Sequence, residues 1–239
     1  MKKISAFVCS SLVVLAAAAG AADDTSTDRS CATDVARRVQ AHYETVVDLT
    51  ARFQQTRQAV VIGGGLAASP EPAREGSVVL AKPGRMRWSY ETPDESLMVT
   101  DGNIVWMYDP LLEEAQRLPD AGGLLSGAAV RFLMGEGDLL ASFTVSTPDC
   151  AARPVRLDLV PREDAGYERL TLEVDPESGR VQASTVTDLF GNRTTVAFSQ
   201  VRLNTAPRAD LFRFEPPPGV AVIDLTVSPP TPGGAAERP

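Results

Sequence analysis

Residues 82–95 read KPGRMRWSYETPDE. Across residues 85–91 polar and apolar side chains alternate without a break, with Arg85, Arg87, Ser89 and Glu91 against Met86, Trp88 and Tyr90. A period of two sends the two sets to opposite faces of a strand. The stretch therefore predicts a β-strand with one wet and one dry face, and the fold turns on what the dry face touches.

The same alternation recurs along the chain. After a first strand within ARFQQTRQAVVI (51–62), strands are expected at 76–81, 85–91, 96–100, 104–109, 114–118, 142–146, 155–160, 167–174, 181–189, 193–200 and 212–215. Turn residues at 101–103, 175–179 and 190–192 separate them, and connections this short join antiparallel strands. Helical spacing is confined to a few places. Thr33 or Asp34 is placed to cap a helix that carries Val35, Val39, Tyr43, Val46 and Val47 to about Thr50. Residues 124–135 set Leu124, Leu125, Ala128, Ala129, Phe132 and Leu133 on one side of a second, and GEGDLLAS (135–142) suggests a further helical turn. So few helices cannot cover so many one-sided strands, and a large sheet must then curl on itself. The expected fold is mainly β: an unclosed antiparallel barrel of about eleven strands with an α-helical lid. A two-sheet sandwich is the alternative.

The first residues, MKKISAFVCSSLVVLAAAAGAA (1–22), combine two lysines, an apolar run and a small-residue end, the pattern of a cleaved secretory signal peptide. The mature chain is expected to start at Ala22 or Asp23, to fold as one domain over 23–225, and to end in a Pro/Gly-rich disordered tail over 226–239. Formal charge is −8; loss of Lys2 and Lys3 leaves 21 basic against 31 acidic side chains, or −10. An acidic surface repels phosphate backbones, which argues against nucleic-acid binding. Cys9 leaves with the leader, so Cys31 and Cys150 remain, a candidate disulfide in an oxidising compartment or else two separate thiols. Neither Cys9, preceded by AFV, nor Cys31, preceded by DRS, stands in a lipid-attachment sequence.

Signs of catalysis are sparse. The one histidine, His42, falls within the first helix and lacks the partners of a triad or a metal site. No nucleophile elbow, zinc-helix motif or phosphate-cradling loop occurs, and no cofactor or metal is expected. Asp94 and Glu95, like Glu113 and Glu114, are adjacent in sequence and read as solvated turn or edge charges. More telling is a concentration of large adaptable side chains: Trp88, Tyr90, Trp106 and Tyr108 with Met86, Met98 and Met107. Such a set serves either a core or a cavity for variable apolar ligands.

LTARFQQTRQ, KPGRMRWSYETPDESLMVTDGNIVWMYDP, LFGNRTTVAF and FRFEPPPGVAVID follow one another in an order and spacing that resembles the outer-membrane lipoprotein carrier proteins (LolA-like) over roughly residues 33–225. The resemblance implies a soluble periplasmic chaperone, not an enzyme and working as a monomer. Such carriers take acylated lipoproteins from an inner-membrane lipoprotein-releasing ABC transporter to a lipidated outer-membrane receptor. It implies that Met86, Trp88, Tyr90, Met98 and Trp106, with Leu124, Leu125, Ala128 and Phe132 of the lid, bind the acyl chains, while Arg85 and Arg87 face outward. Buried methylenes yield ~0.8 kcal/mol each, so a ~16-carbon chain fully enclosed would gain ~12 kcal/mol and never leave; a carrier must hold its chains loosely. Family members often carry arginine as a lid latch where Lys82 stands, and a lysine cannot supply the same bidentate fork. Two other functions suit the same scaffold: carriage of another envelope lipid, and envelope-stress sensing.

Overall fold

A computed structural model describes residues 23–60, 71–119 and 137–225. Its framework is one sheet of twelve strands: β1 (Asp48–Gln58), β2 (Arg74–Ala81), β3 (Arg85–Thr92), β4 (Ser96–Thr100), β5 (Ile104–Asp109), β6 (Glu114–Pro119), β7 (Phe143–Ser146), β8 (Val155–Pro161), β9 (Tyr167–Val174), β10 (Val181–Asp188), β11 (Arg193–Leu203) and β12 (Ala221–Asp224). They lie in the order β12-β6-β5-β4-β3-β2-β1-β11-β10-β9-β8-β7, so the sheet is unclosed. All neighbours are antiparallel except β12, which runs parallel to β6. Two helices are described, α1 (Asp23–Glu44) and the single turn α2 (Leu139–Ser142), the latter capped by the Asp138 carboxylate.

α1 lies on the inner face and fills one half of the sheet. Ala32, Val35, Ala36, Val39 and Tyr43 recur at helical spacing and pack with Leu157, Leu159, Leu170, Leu172, Val174 and Phe143 in one core. Three ties fix the helix there. Cys31 is bonded to Cys150 in the β7–β8 loop. Arg38 donates to the Pro176 carbonyl at 2.7 Å. The β9–β10 turn presses Gly179 so close that a Cβ there would lie 2.4 Å from the Arg38 carbonyl oxygen, at a φ of +74° that itself favours glycine.

Three expectations are corrected. The helix begins at Asp23, ten residues ahead of the expected cap, and ends at Glu44. Thr33 and Asp34 are interior positions, where carbonyls of the preceding helical turn accept the backbone N–H groups and no cap is needed. Beyond Glu44 the β-branched run Thr45, Val46, Val47 leaves the helix, Val47 donates to the Asn204 side chain, and β1 starts at once. The first strand accordingly spans Asp48–Gln58; residues 61 and 62 lie outside the described residues.

The third correction concerns the C-terminal segment. Residues 212–215 are not a strand: a 3-10 turn (Ala209–Phe212) leads into an extended strap, and β12 forms nine residues later. Pro216, Pro217 and Pro218 have no N–H with which to hold a sheet ladder. The strap crosses the outer face of β3–β6. Phe212 is 1% exposed beneath the Arg85 guanidinium, the Arg87 side chain donates to the Leu211 carbonyl, and Arg117 pairs with Asp224 at 3.0 Å. Arg85 and Arg87 do face outward, but this chain's own strap covers them.

Candidate functional site

The inner face of β3–β6 is the half of the sheet that α1 does not fill. Register fixes which side chains share it, because directly paired residues of adjacent strands point the same way. Trp88 pairs with Met98 and Met98 with Met107, forming one inward row. Met86, Thr100 and Val105 form a second row below it, and all three are buried. Tyr90 and Ser96 lead a third row at the opposite rim.

Phe53 of β1 completes the wall. Its ring lies 4.6 Å from that of Trp88 and meets Tyr90 edge-on at 5.1 Å. Gly76 permits this approach: it sits between Phe53 and Tyr90 in the ladder, and a Cβ there would fall 1.9 Å from the Ser89 carbonyl oxygen and 2.9 Å from Phe53 Cζ. Tyr90 Oη donates to Gln55 at 2.8 Å, and Arg74 stacks over the Tyr90 ring at 3.9 Å. Burial pushes the Tyr90 phenol above its ordinary pKa while the Arg74 cation works against that shift, so the hydroxyl stays a neutral donor. Beside this wall opens a groove of about 370 Å³, with Met98 and Met107 in its floor and Arg74, Ser96, Glu114 and Gln116 around it.

Trp106 stands apart from this wall. It pairs with Val99, which pairs with Arg87, so it belongs to the outer face. There it packs on Phe214 of the strap at 5.6 Å and lies under Arg117. Met86, Trp88, Tyr90 and Met98 are brought together on the inner face; Leu124, Leu125, Ala128 and Phe132 lie outside the described residues. Phe53 and Arg74 were missed by the sequence reading, and Gly76, opposite both Phe53 and Tyr90, was the one available signal.

Lys82 sits at the far end of the same half. Its Nζ donates to the Tyr43 carbonyl at 2.9 Å and its backbone N–H to the Val47 carbonyl. The Tyr43 carbonyl belongs to the last turn of α1, where carbonyls lack helical partners and a cation complements the helix dipole. The lysine therefore ties β2 to the end of α1.

Among the described residues, the ionisable side chains singled out in the sequence lie on separate elements. The Nε2 atom of His42 is buried without a hydrogen-bond partner among the described residues. Asp94 and Glu95 fall in the β3–β4 turn, while Glu113 ends the β5–β6 turn with Glu114 opening β6. Among the described residues no three His, Cys, Asp or Glu side chains gather to hold a metal ion. No described helix is long and apolar enough to cross a membrane.

Comparison with known proteins is consistent across sequence and structure. An outer-membrane lipoprotein carrier protein from Dechloromonas aromatica is 29% identical over 93% of this chain and 97% of its own length. The same-named protein of Cupriavidus pinatubonensis is 30% identical over 93% and 98%. A crystal structure of an uncharacterized conserved protein from Thermus thermophilus shares the fold, with a TM-score of 0.50 at 13% identity, covering 81% of this chain and 98% of that one. Residues 44–215, from the end of α1 through the inner wall to the strap, match the family described as outer membrane lipoprotein carrier protein LolA. With these matches spanning both halves of the sheet, the chain belongs to the LolA family of outer-membrane lipoprotein carriers.

Proposed function

We propose that this chain is a periplasmic chaperone, exported by a cleaved signal peptide. It binds the acyl chains of lipoproteins released from the inner membrane by an ABC transporter and hands them to a lipidated receptor at the outer membrane. One observation carries the reading: Trp88, Met98 and Met107 form a continuous apolar row on the inner face that α1 leaves free, and it runs into an open groove. Each of the three remains half-buried, whereas Leu157, Leu159 and Val174 beneath α1 have no exposed surface at all.

Methionine and aromatic rings accommodate chains of variable position without a fixed fit. That suits a protein that must release what it holds. In this reading Met86, Trp88, Tyr90 and Met98 contact the acyl chains, and the segment 124–135 closes over them. Lys82 then acts at the α1 end of the closure. The carrier works as a monomer and does no chemistry on its cargo.

The test is transfer. Incubated with inner-membrane vesicles that carry a labelled lipoprotein, its transporter and ATP, the protein should yield a soluble complex with the lipoprotein. Label that stays with the vesicles at all protein concentrations would refute the proposal.

A further inference from the structure

Along β3–β6 the inner face changes character from one end to the other. At the Lys82 end stand Met86 and Val105, and in the middle Trp88, Met98 and Met107. At the rim the paired positions are Tyr90 with Ser96 and Asp109 with Glu114, beside Arg74. A lipid entering such a gradient lies with its tails toward Lys82 and its head at the rim.

The rim is charged in both senses and its groups are preset. Arg74 is fixed by the Tyr90 ring on one side and by a bond to Ser96 Oγ at 3.0 Å. It makes no ion pair with a carboxylate among the described residues. Across the groove Glu114 Oε1 accepts from Gln116 at 2.9 Å, and Asp109 Oδ1 is held by the backbone N–H groups of Leu111 and Leu112. A free arginine alone would welcome a phosphate. Two carboxylates facing the same groove oppose it, and favour a head that is neutral and offers both a carbonyl and an N–H.

We propose that this rim groove is a headgroup subsite that selects acylated peptides over phospholipids. Arg74 donates to an ester or amide carbonyl at the head of the lipid. Glu114, backed by Asp109, accepts from an adjacent amide N–H and repels a phosphate in the same place. The subsite rests on the acyl-carrier reading above and adds to it the means of excluding the phospholipids among which any lipoprotein resides.

The test is displacement of an uncharged apolar fluorescent dye from the full chain by two probes with the same short acyl chains. One is a synthetic N-acyl, S-diacylglyceryl cysteinyl peptide, the other phosphatidylglycerol. The wild-type protein should bind the lipopeptide at least ~tenfold more tightly, the weight of one charge-assisted hydrogen bond. Arg74→Gln should weaken the lipopeptide by ~tenfold, with Arg74→Lys recovering part of the loss. Glu114→Gln should tighten phosphatidylglycerol by ~threefold or more. Dye affinity is measured directly for each variant, so that every displacement reads the probe alone.

Equal affinity of the wild type for the two probes overturns the subsite, as do variants that leave both affinities unchanged. Should Arg74→Gln fail to fold in a circular-dichroism melt, Glu114→Gln decides the matter alone. If the wild-type protein binds neither dye nor lipopeptide, the acyl-carrier reading itself fails. Lipopeptide bound with no preference overturns only the subsite.

Discussion

Strands β7–β10 and β3–β6 belong to one sheet, yet their inner faces are finished differently. Under α1 the first set presents Leu157, Leu159, Leu170, Leu172 and Val174, each 3% exposed or less. The second presents Trp88, Met98 and Met107, half-buried beside a groove. Branched aliphatics in few rotamers specify a close-packed interior. Methionine and tryptophan fill space without demanding one arrangement. Close packing and adaptable side chains thus occupy separate halves of one sheet.

Cutting the tether of the packed half should have the largest effect. A double Cys31→Ser, Cys150→Ser variant opens a link between residues 119 apart in sequence, and should lose ~4 kcal/mol of unfolding free energy in urea, since longer loops are stabilised more. Dye binding in the groove should survive at temperatures where the variant is folded. Next comes Leu157→Ala, which empties a fully buried site and should cost ~3 kcal/mol. A midpoint shift in denaturant with unchanged dye affinity is the expected pair of results.

In the other half the ranking reverses. Met98→Leu keeps volume and should change stability by less than ~1 kcal/mol, but a branched side chain in the groove floor should measurably weaken binding of acylated probes. A variant that binds normally would count against an adaptable wall. Met86→Glu, by contrast, should lower the denaturant midpoint together with binding, because Met86 is 4% exposed and the introduced charge would be buried.

The smallest effect is acid-dependent. Burial works to raise the Asp101 carboxyl, but bonds from the backbone N–H groups of Ile104 and Asn103 overcome it, and the pKa is lowered from 3.8. A lowered folded-state value means the stabilisation is complete above the unfolded pKa and lost as pH falls through the folded one. Asp101→Asn should therefore flatten the decline of Tm below pH ~4 by a small margin, in a set of melts run from neutral to acid.

How much of this was legible from residues depended on whether the signal was local. Alternation in 85–91 assigned Met86, Trp88 and Tyr90 to one face because a strand's period is two and needs no partner to be read. Trp106 went to the wrong face for the complementary reason. Its side is set by the register Val99 with Trp106, which the β4–β5 turn decides and composition does not. Phe53 and Arg74 lie on β1 and β2 and reach the site only across the sheet, so nothing near residues 82–95 announces them. The strap was misread because FRF alternates like a strand; its apolar members instead settle on a ready-made sheet face, Phe212 under Arg85 and Phe214 on Trp106.

An unclosed sheet has two free margins, and each is a template on which another chain could add a strand. In this molecule both margins are four residues long: β7 at one side and β12 at the other. The longer β6 is capped by β12, which the triproline arm delivers in the parallel sense. Long unpaired edges beside an apolar sheet face are where chains stack edge to edge into fibres. The parallel twelfth strand thus replaces the six-residue margin that β6 would present with one of four residues.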